Sequence, residues 1–131
     1  MAAPRTEWIF RASLVRVVDG DTVDLDVDLG FRARMTLRFR VAGIDTPEIT
    51  GPTRTLGLLA SARTAAFLAR GGIEVTSRGE ADKYGGRWDA DIRALGVDLA
   101  ETLVREGYAL RWDGSGVRPH WDIAAAYPLA A

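Results

Sequence analysis

Cysteine is absent from this 131-residue chain, which rules out disulfides and thiolate metal sites and leaves the redox compartment unreadable. Lys83 is the sole lysine and His120 the sole histidine. His120 lies in a Gly/Pro-rich tail, where a surface or packing role outweighs a catalytic one. No apolar run approaches the ~20 residues that a membrane span requires. Met1 to Phe10 lacks the basic start and long apolar stretch of a secretory signal. A cytoplasmic location and no membrane partner are the expectations that follow. Nor is one charge in excess: 17 Lys and Arg face 18 Asp and Glu, for a net charge of −1. Proteins that hold nucleic acid mainly by neutralising phosphates are usually strongly basic. The cations here are nearly all arginine, whose planar fork suits bidentate phosphate contacts. A GC-rich coding sequence explains the same bias equally well, so charge alone names no partner.

What is present is ordinary globular composition, 47% hydrophobic and 27% charged, enough for one domain with a buried core. The first third alternates with period two, the signature of strands with one buried face. Val23, Leu25, Val27 and Leu29 alternate with Thr22, Asp24, Asp26 and Asp28. After Gly30, Ala33, Met35, Leu37, Phe39 and Val41 alternate with Arg32, Arg34, Thr36, Arg38 and Arg40. This predicts a hairpin with aspartates opposite arginines on its polar face, preceded by a strand over roughly 8–18. Leu56, Leu59, Ala60, Ala66 and Phe67 recur at helical spacing, and Gly71-Gly72 ends that run. Ile73 to Ser77 and the Trp88, Ala90, Ile92 alternation predict two more strands. Asp98-Leu-Ala-Glu101 resembles a capping arrangement for a helix ending at Gly107. The order β-β-β-α-β-β-α predicts an α+β, mainly β fold: a five-stranded OB-type barrel with two helices. A single domain spans 1–131, with its core at about 8–112 and a tail at 113–131 that has no core of its own.

Three clusters join charge to turn residues at strand ends: Asp19-Gly20-Asp21-Thr22, Arg40 with Asp45-Thr46-Pro47-Glu48, and Asp82-Lys83-Tyr84-Gly85-Gly86-Arg87. Phosphodiester hydrolysis needs a hard cation held by oxygen ligands, a base to align and deprotonate water, and cationic donors for the phosphoryl group in the transition state. Asp21 and Asp45 suit the first need, Glu48 the second, and Arg40 with Arg87 the third. Other readings stand beside these. Asp-Gly-Asp also forms plain turns whose carboxylates bond backbone amides. Asp24, Asp26 and Asp28 read as a solvated strand face, with Arg32, Arg34 and Arg38 as cross-strand partners. Arg40 also reads as a continuation of that face, Glu48 as a loop residue, Tyr84 as packing beside a turn. Trp8, Trp88, Trp112 and Trp121 read first as core or lid packing.

At these three clusters, over roughly residues 9–112, the chain resembles the staphylococcal nuclease family, with Leu103-Val104-Arg105-Glu106-Gly107-Tyr108-Ala109 resembling its second-helix ending. The resemblance implies that Asp21 and Asp45 bind a calcium ion together with the Thr46 carbonyl. It implies that Glu48 acts on the attacking water and that Arg40 and Arg87 grip the scissile phosphate. Tyr84, with Lys83 beside it, would contact a terminal phosphate, and Trp112 falls where a tyrosine often stacks on a base, which an indole does equally well. The implied activity is an endonuclease cutting DNA and RNA, single strands or frayed duplex, to 3′-phosphate ends. Oxygen ligands also suit magnesium and manganese. A monomer is expected.

The sequence departs from the family pattern at three points. Gly85-Gly86 places one glycine more than usual before Arg87: a bulge absorbs it and keeps Arg87 inward, whereas a register shift points it away. Asp89 stands where an apolar strand residue is usual. The long C-terminal helix is replaced by Trp112-Asp113-Gly114 and Arg118-Pro119-His120-Trp121, an ending that resembles short bacterial and phage-type members. The alternative function is a catalytically inactive OB-type module that binds nucleic acid or a protein partner, the same barrel without hydrolysis.

Overall fold

The computed structural model describes residues 8–80 and 86–121. Its long strands are β1 (Ile9–Asp19), β2 (Thr22–Gly30), β3 (Ala33–Val41), β5 (Ile73–Glu80) and β6 (Trp88–Ala94), with a two-residue β4 (Ile44–Asp45) between β3 and the first helix. Helix α1 spans Arg54–Ala69; the two-residue β7 (Val97–Asp98) leads into α2 (Leu99–Arg105), and β8 (Leu110–Arg111) pairs with β4. The long strands run β3-β2-β1-β5-β6, and a parallel pairing of β3 with β6 closes them into a five-stranded mixed barrel. The β-β-β-α-β-β-α order read from the sequence is the order found, and an α+β barrel with two helices is the fold.

Closure depends on β1 bending. Its N-terminal half pairs with β5, from Ile9 against Thr76 to Ala12 against Ile73. Its pairing with β2 shifts register after Leu14 and again after Val17. Extra residues of this kind sharpen the local twist, so one strand serves two neighbours that face different ways. The β2–β3 hairpin turns on Phe31 and Arg32, both with positive φ (54° and 66°). Gly30 pairs with Ala33 at the mouth of that turn.

Inward alternation fills the barrel. Val23, Leu25 and Val27 of β2, Phe39 and Val41 of β3, Val75 of β5, and Ala90 and Ile92 of β6 are buried. Leu29 and Met35 belong to the same face but are exposed, because the hairpin extends past the end of the barrel. On the outer face Arg38 bonds Asp24 and Arg34 bonds Asp26, each at 2.8 Å, as the charge alternation predicts. Leu56, Ala60, Phe67 and Leu68 of α1, with Leu99 and Leu103 of α2, seal the core. Asp98 caps α2 by accepting the Glu101 N–H at 2.8 Å. The Glu101 carboxylate does not complete the box; it pairs with Arg111 of β8.

Helix α1 is also bonded to the β1–β2 turn at one end of the barrel. The Thr64 hydroxyl donates to the Gly20 carbonyl at 2.7 Å in a fully buried contact. Replacing Thr64 with valine keeps the volume and leaves that carbonyl unsatisfied, so Thr64→Val should cost about 1–3 kcal/mol. Urea unfolding checks this; a midpoint equal to that of the unaltered protein would show the bond to be dispensable.

Candidate active site

Four segments meet at one end of the barrel: the β1–β2 turn, the loop following β3, the start of β6, and the chain beyond β8. They enclose a cleft of about 400 Å³ whose lining includes Asp21, Arg40, Asp45, Glu48, Arg87 and Trp112. Six of the residues singled out by sequence thus converge from distant positions. Lys83 and Tyr84 lie outside the described residues. Thr46 lies behind the cleft, buried against the β1–β2 turn.

The acidic residues hold their places through α1. A β-carbon on Gly20 would meet Ala60 Cβ at 2.9 Å and Thr46 Oγ1 at 2.9 Å, so turn, loop and helix touch at a point that accepts only glycine. A β-carbon on Gly57 would collide with the Glu48 carbonyl and lie 2.8 Å from the Ile49 nitrogen. The Thr53 hydroxyl, just before α1, donates to that same Glu48 carbonyl at 2.9 Å. The Glu48 side chain itself is half exposed.

Asp21 is buried and accepts hydrogen bonds from the Thr22 hydroxyl (3.1 Å) and the Thr46 N–H (3.2 Å). Burial raises its carboxyl from the usual 3.8 to about 7, and the neighbouring Asp19 adds to the rise, against the opposing pull of Arg40 and the Thr46 amide. A buried carboxylate beside another lacks positive charge, and a hard cation would supply it. The donors on hand fit such an ion: the carboxylates of Asp21 and Asp45 and the Thr46 carbonyl; the Thr46 hydroxyl, packed toward Gly20 behind the cleft, is buried with no hydrogen-bond partner among the described residues. All are oxygens, as calcium and magnesium prefer. Among the described residues no three acidic or histidine side chains converge into a ready-made cage; backbone oxygen and water would complete the shell.

The arginines face these acids. Arg40 donates to the Ile44 carbonyl at 3.1 Å, and its guanidinium lies 5.6 Å from the centroid of the Trp112 ring. Trp112 is anchored by its backbone N–H on Gly43 (3.0 Å) and its indole N–H on Ser115 (2.7 Å). One face of the indole is therefore occupied by Arg40. Gly86 has a φ of +107°, a conformation glycine adopts without strain, and Arg87 beyond it lines the cleft. Asp89 pairs in parallel register with Arg40 and also lines the cleft, with one carboxylate oxygen buried and lacking a hydrogen-bond partner among the described residues.

Sequence reasoning assigned no site role to Arg118 or Trp121. Arg118 Nε donates to Asp45 Oδ1 at 2.9 Å, Nη2 to the Thr46 carbonyl at 3.2 Å, and Nη1 lies 2.6 Å from Glu48 Oε1. The Trp121 indole donates to Asp45 Oδ2 at 3.0 Å. The tail segment 113–121 thus turns back onto the site, and Trp121 packs against the barrel core. Only the Arg-Pro-His-Trp composition in a Gly-rich stretch hinted at an ordered ending.

Two predictions follow from this geometry. Gly57→Ala should displace the 48–49 backbone, shifting the amide resonances of Glu48 and Ile49 and lowering Tm. A Tm raised by the better helix propensity of alanine, with those resonances unmoved, would contradict the close approach. Asp21 ionises near 3.8 when unfolded and near about 7 when folded. Between those values the folded form keeps a proton that the unfolded form has lost, so stability falls as pH rises from about 4 to about 7. In chelator, Asp21→Asn should abolish that fall; parallel Tm-against-pH curves for both proteins would refute the assignment.

The sequence model of a family described as staphylococcal nuclease homologue matches residues 38–120. A curated relative, the micrococcal nuclease of Shigella flexneri, is 39% identical over 118 residues, which cover 90% of this chain and 59% of the relative. The chain therefore spans about three-fifths of that protein's length. With the closed barrel and two helices described above, the match over 38–120 establishes that the chain belongs to the staphylococcal nuclease family.

Proposed function

We propose that this protein is a divalent-cation-dependent nuclease that hydrolyses phosphodiester bonds of DNA or RNA and leaves 3′-phosphate ends. The observation that carries the reading is the meeting of Asp21, Asp45 and Glu48 with Arg40 and Arg87 around one cleft. Family membership and the likeness to a micrococcal nuclease support it.

Calcium held by Asp21, Asp45 and the Thr46 carbonyl would supply Lewis-acid charge to a phosphate oxygen. Glu48 removes a proton from the water that attacks phosphorus. Arg40 and Arg87 bind the non-bridging oxygens and take up the charge that grows on them in the transition state. The bond to the 5′ oxygen breaks, that oxygen takes a proton from solvent, and the phosphate stays on the 3′ side. Arg40 is held ready for this by the Ile44 carbonyl and the Trp112 ring, so little ordering remains when substrate arrives. Contacts aimed at phosphate carry no base information directly, which favours weak sequence dependence.

A non-catalytic binding module is the second reading. One observation favours it: Asp45 and Glu48 are both bonded to Arg118, as structural ion pairs would be. Cleavage of single-stranded DNA and RNA in calcium, magnesium or chelator separates the two. Calcium-dependent cutting to 3′-phosphates is expected, lost in Glu48→Gln. Arg40→Ala and Arg87→Ala should each reduce kcat by about 100-fold or more. Either arginine variant cutting at near-full rate would remove its assigned role, and no cutting by well-folded protein in any ion would favour the binding module.

A further inference from the structure

All three nitrogens of the Arg118 guanidinium are engaged, and their acceptors are the groups assigned to the ion and to water: Asp45, the Thr46 carbonyl and Glu48. The two oxygens of Asp45, a side chain only 2% exposed, each take a donor from the 113–121 arm, one from Arg118 and one from Trp121. At its start the arm is braced locally, from the Trp112 indole to Ser115 and from Ser115 to Asp113. The arm contains no helix or strand. Through Arg118 and Trp121 the arm is held on the same oxygens that a cation would use.

We propose that Arg118 is an internal counter-ion standing on Asp45 and Thr46 in place of the divalent cation, so that ion binding and detachment of its guanidinium are one exchange. The inference rests on the ion-binding role of Asp45 and Thr46 put forward above. Calcium sits roughly 2.3–2.6 Å from its oxygen ligands, whereas the guanidinium nitrogens stand 2.9 and 3.2 Å from these two. Two cations on one pair of oxygens repel at short range. The guanidinium neutralises Asp45 and occupies the Thr46 carbonyl, matching the charge of an ion at two of its proposed ligands. The exchange also breaks the 2.6 Å pair with Glu48. Arrival of the ion and release of Glu48 toward water are thereby linked, and linkage of this kind is reciprocal: what weakens the arm strengthens the ion.

The test uses the full-length protein with calcium chloride or EGTA, read by hydrogen–deuterium exchange and by calorimetry. Calcium should speed exchange across 113–121, and Arg118→Ala should bind calcium at least tenfold more tightly, with Arg118→Lys in between. Exchange in the unaltered protein needs no variant, so a poorly folded Arg118→Ala does not remove the test. Cleavage is followed in the same buffers. If the protein binds calcium and cuts, yet 113–121 stays as protected as in EGTA and Arg118→Ala binds no tighter, the counter-ion role is overturned and the nuclease reading stands. If it neither binds calcium nor cuts, both fall.

Discussion

The seating of α1 against the two acidic loops is the constraint on which the rest of this molecule depends. Thr64 bonds the Gly20 carbonyl, Ala60 sits where a Gly20 side chain would be, and Gly57 lets the Glu48 backbone lie directly on the helix. The turn carrying Asp21 and the loop carrying Glu48 are thus each fixed to one rigid element, and their relative position is inherited from it. Sites supported in this way keep the sub-ångström precision that chemistry on a phosphate requires. The Arg63–Glu106 pair, with contacts of 2.6 and 3.0 Å, ties the same helix to the end of α2. The scaffold is in turn held from its far side.

Within that frame the site is assembled against its own electrostatic preference. Asp21 is buried beside Asp19, and both effects oppose its ionisation. A buried hydroxyl on Thr46 and a carboxylate oxygen on Asp89 lack partners among the described residues. Such features reduce the stability of a fold and concentrate where function is built. Arg40, propped between the Ile44 carbonyl and the Trp112 ring, favours the ionised form of Asp21, while Arg118 neutralises the neighbouring Asp45.

Much of the barrel was legible because each hairpin strand has one wet and one dry face. Asp98 and Gly71-Gly72 marked helix ends by local chemistry that needs no knowledge of the tertiary fold. The inner surface of α1 was less legible. Gly57 and Thr64 face the barrel there, selected by nearby backbone and not by hydrophobicity. The exposure of Leu29 and Met35 could not be read either, since alternation does not say where a barrel ends. Of the site, the residues placed at strand ends were found by their chemical type. Arg118 was missed because Asp45 lies 73 positions earlier, and an arginine in a Gly-rich stretch looks like any surface cation. Lys83 and Tyr84 fall outside the described residues.

The aspartate–arginine ladder on the outer face of the β2–β3 hairpin reaches beyond that hairpin. Arg34 and Arg38 are paired with Asp26 and Asp24, so their charges become short dipoles whose potential decays faster with distance than that of a free ion. With its charges paired, and a net charge of −1 overall, that flank offers a polyanion little net attraction. The cleft is lined by three arginines, Arg40, Arg87 and Arg118, and by six acidic residues, and at physiological salt the field they set up fades over a Debye length of about 8 Å. For a nuclease as proposed, capture of a strand would be a local event at the cleft mouth and not a long-range funnelling, and a strand leaving the cleft would find little on the outside of the hairpin to slide along.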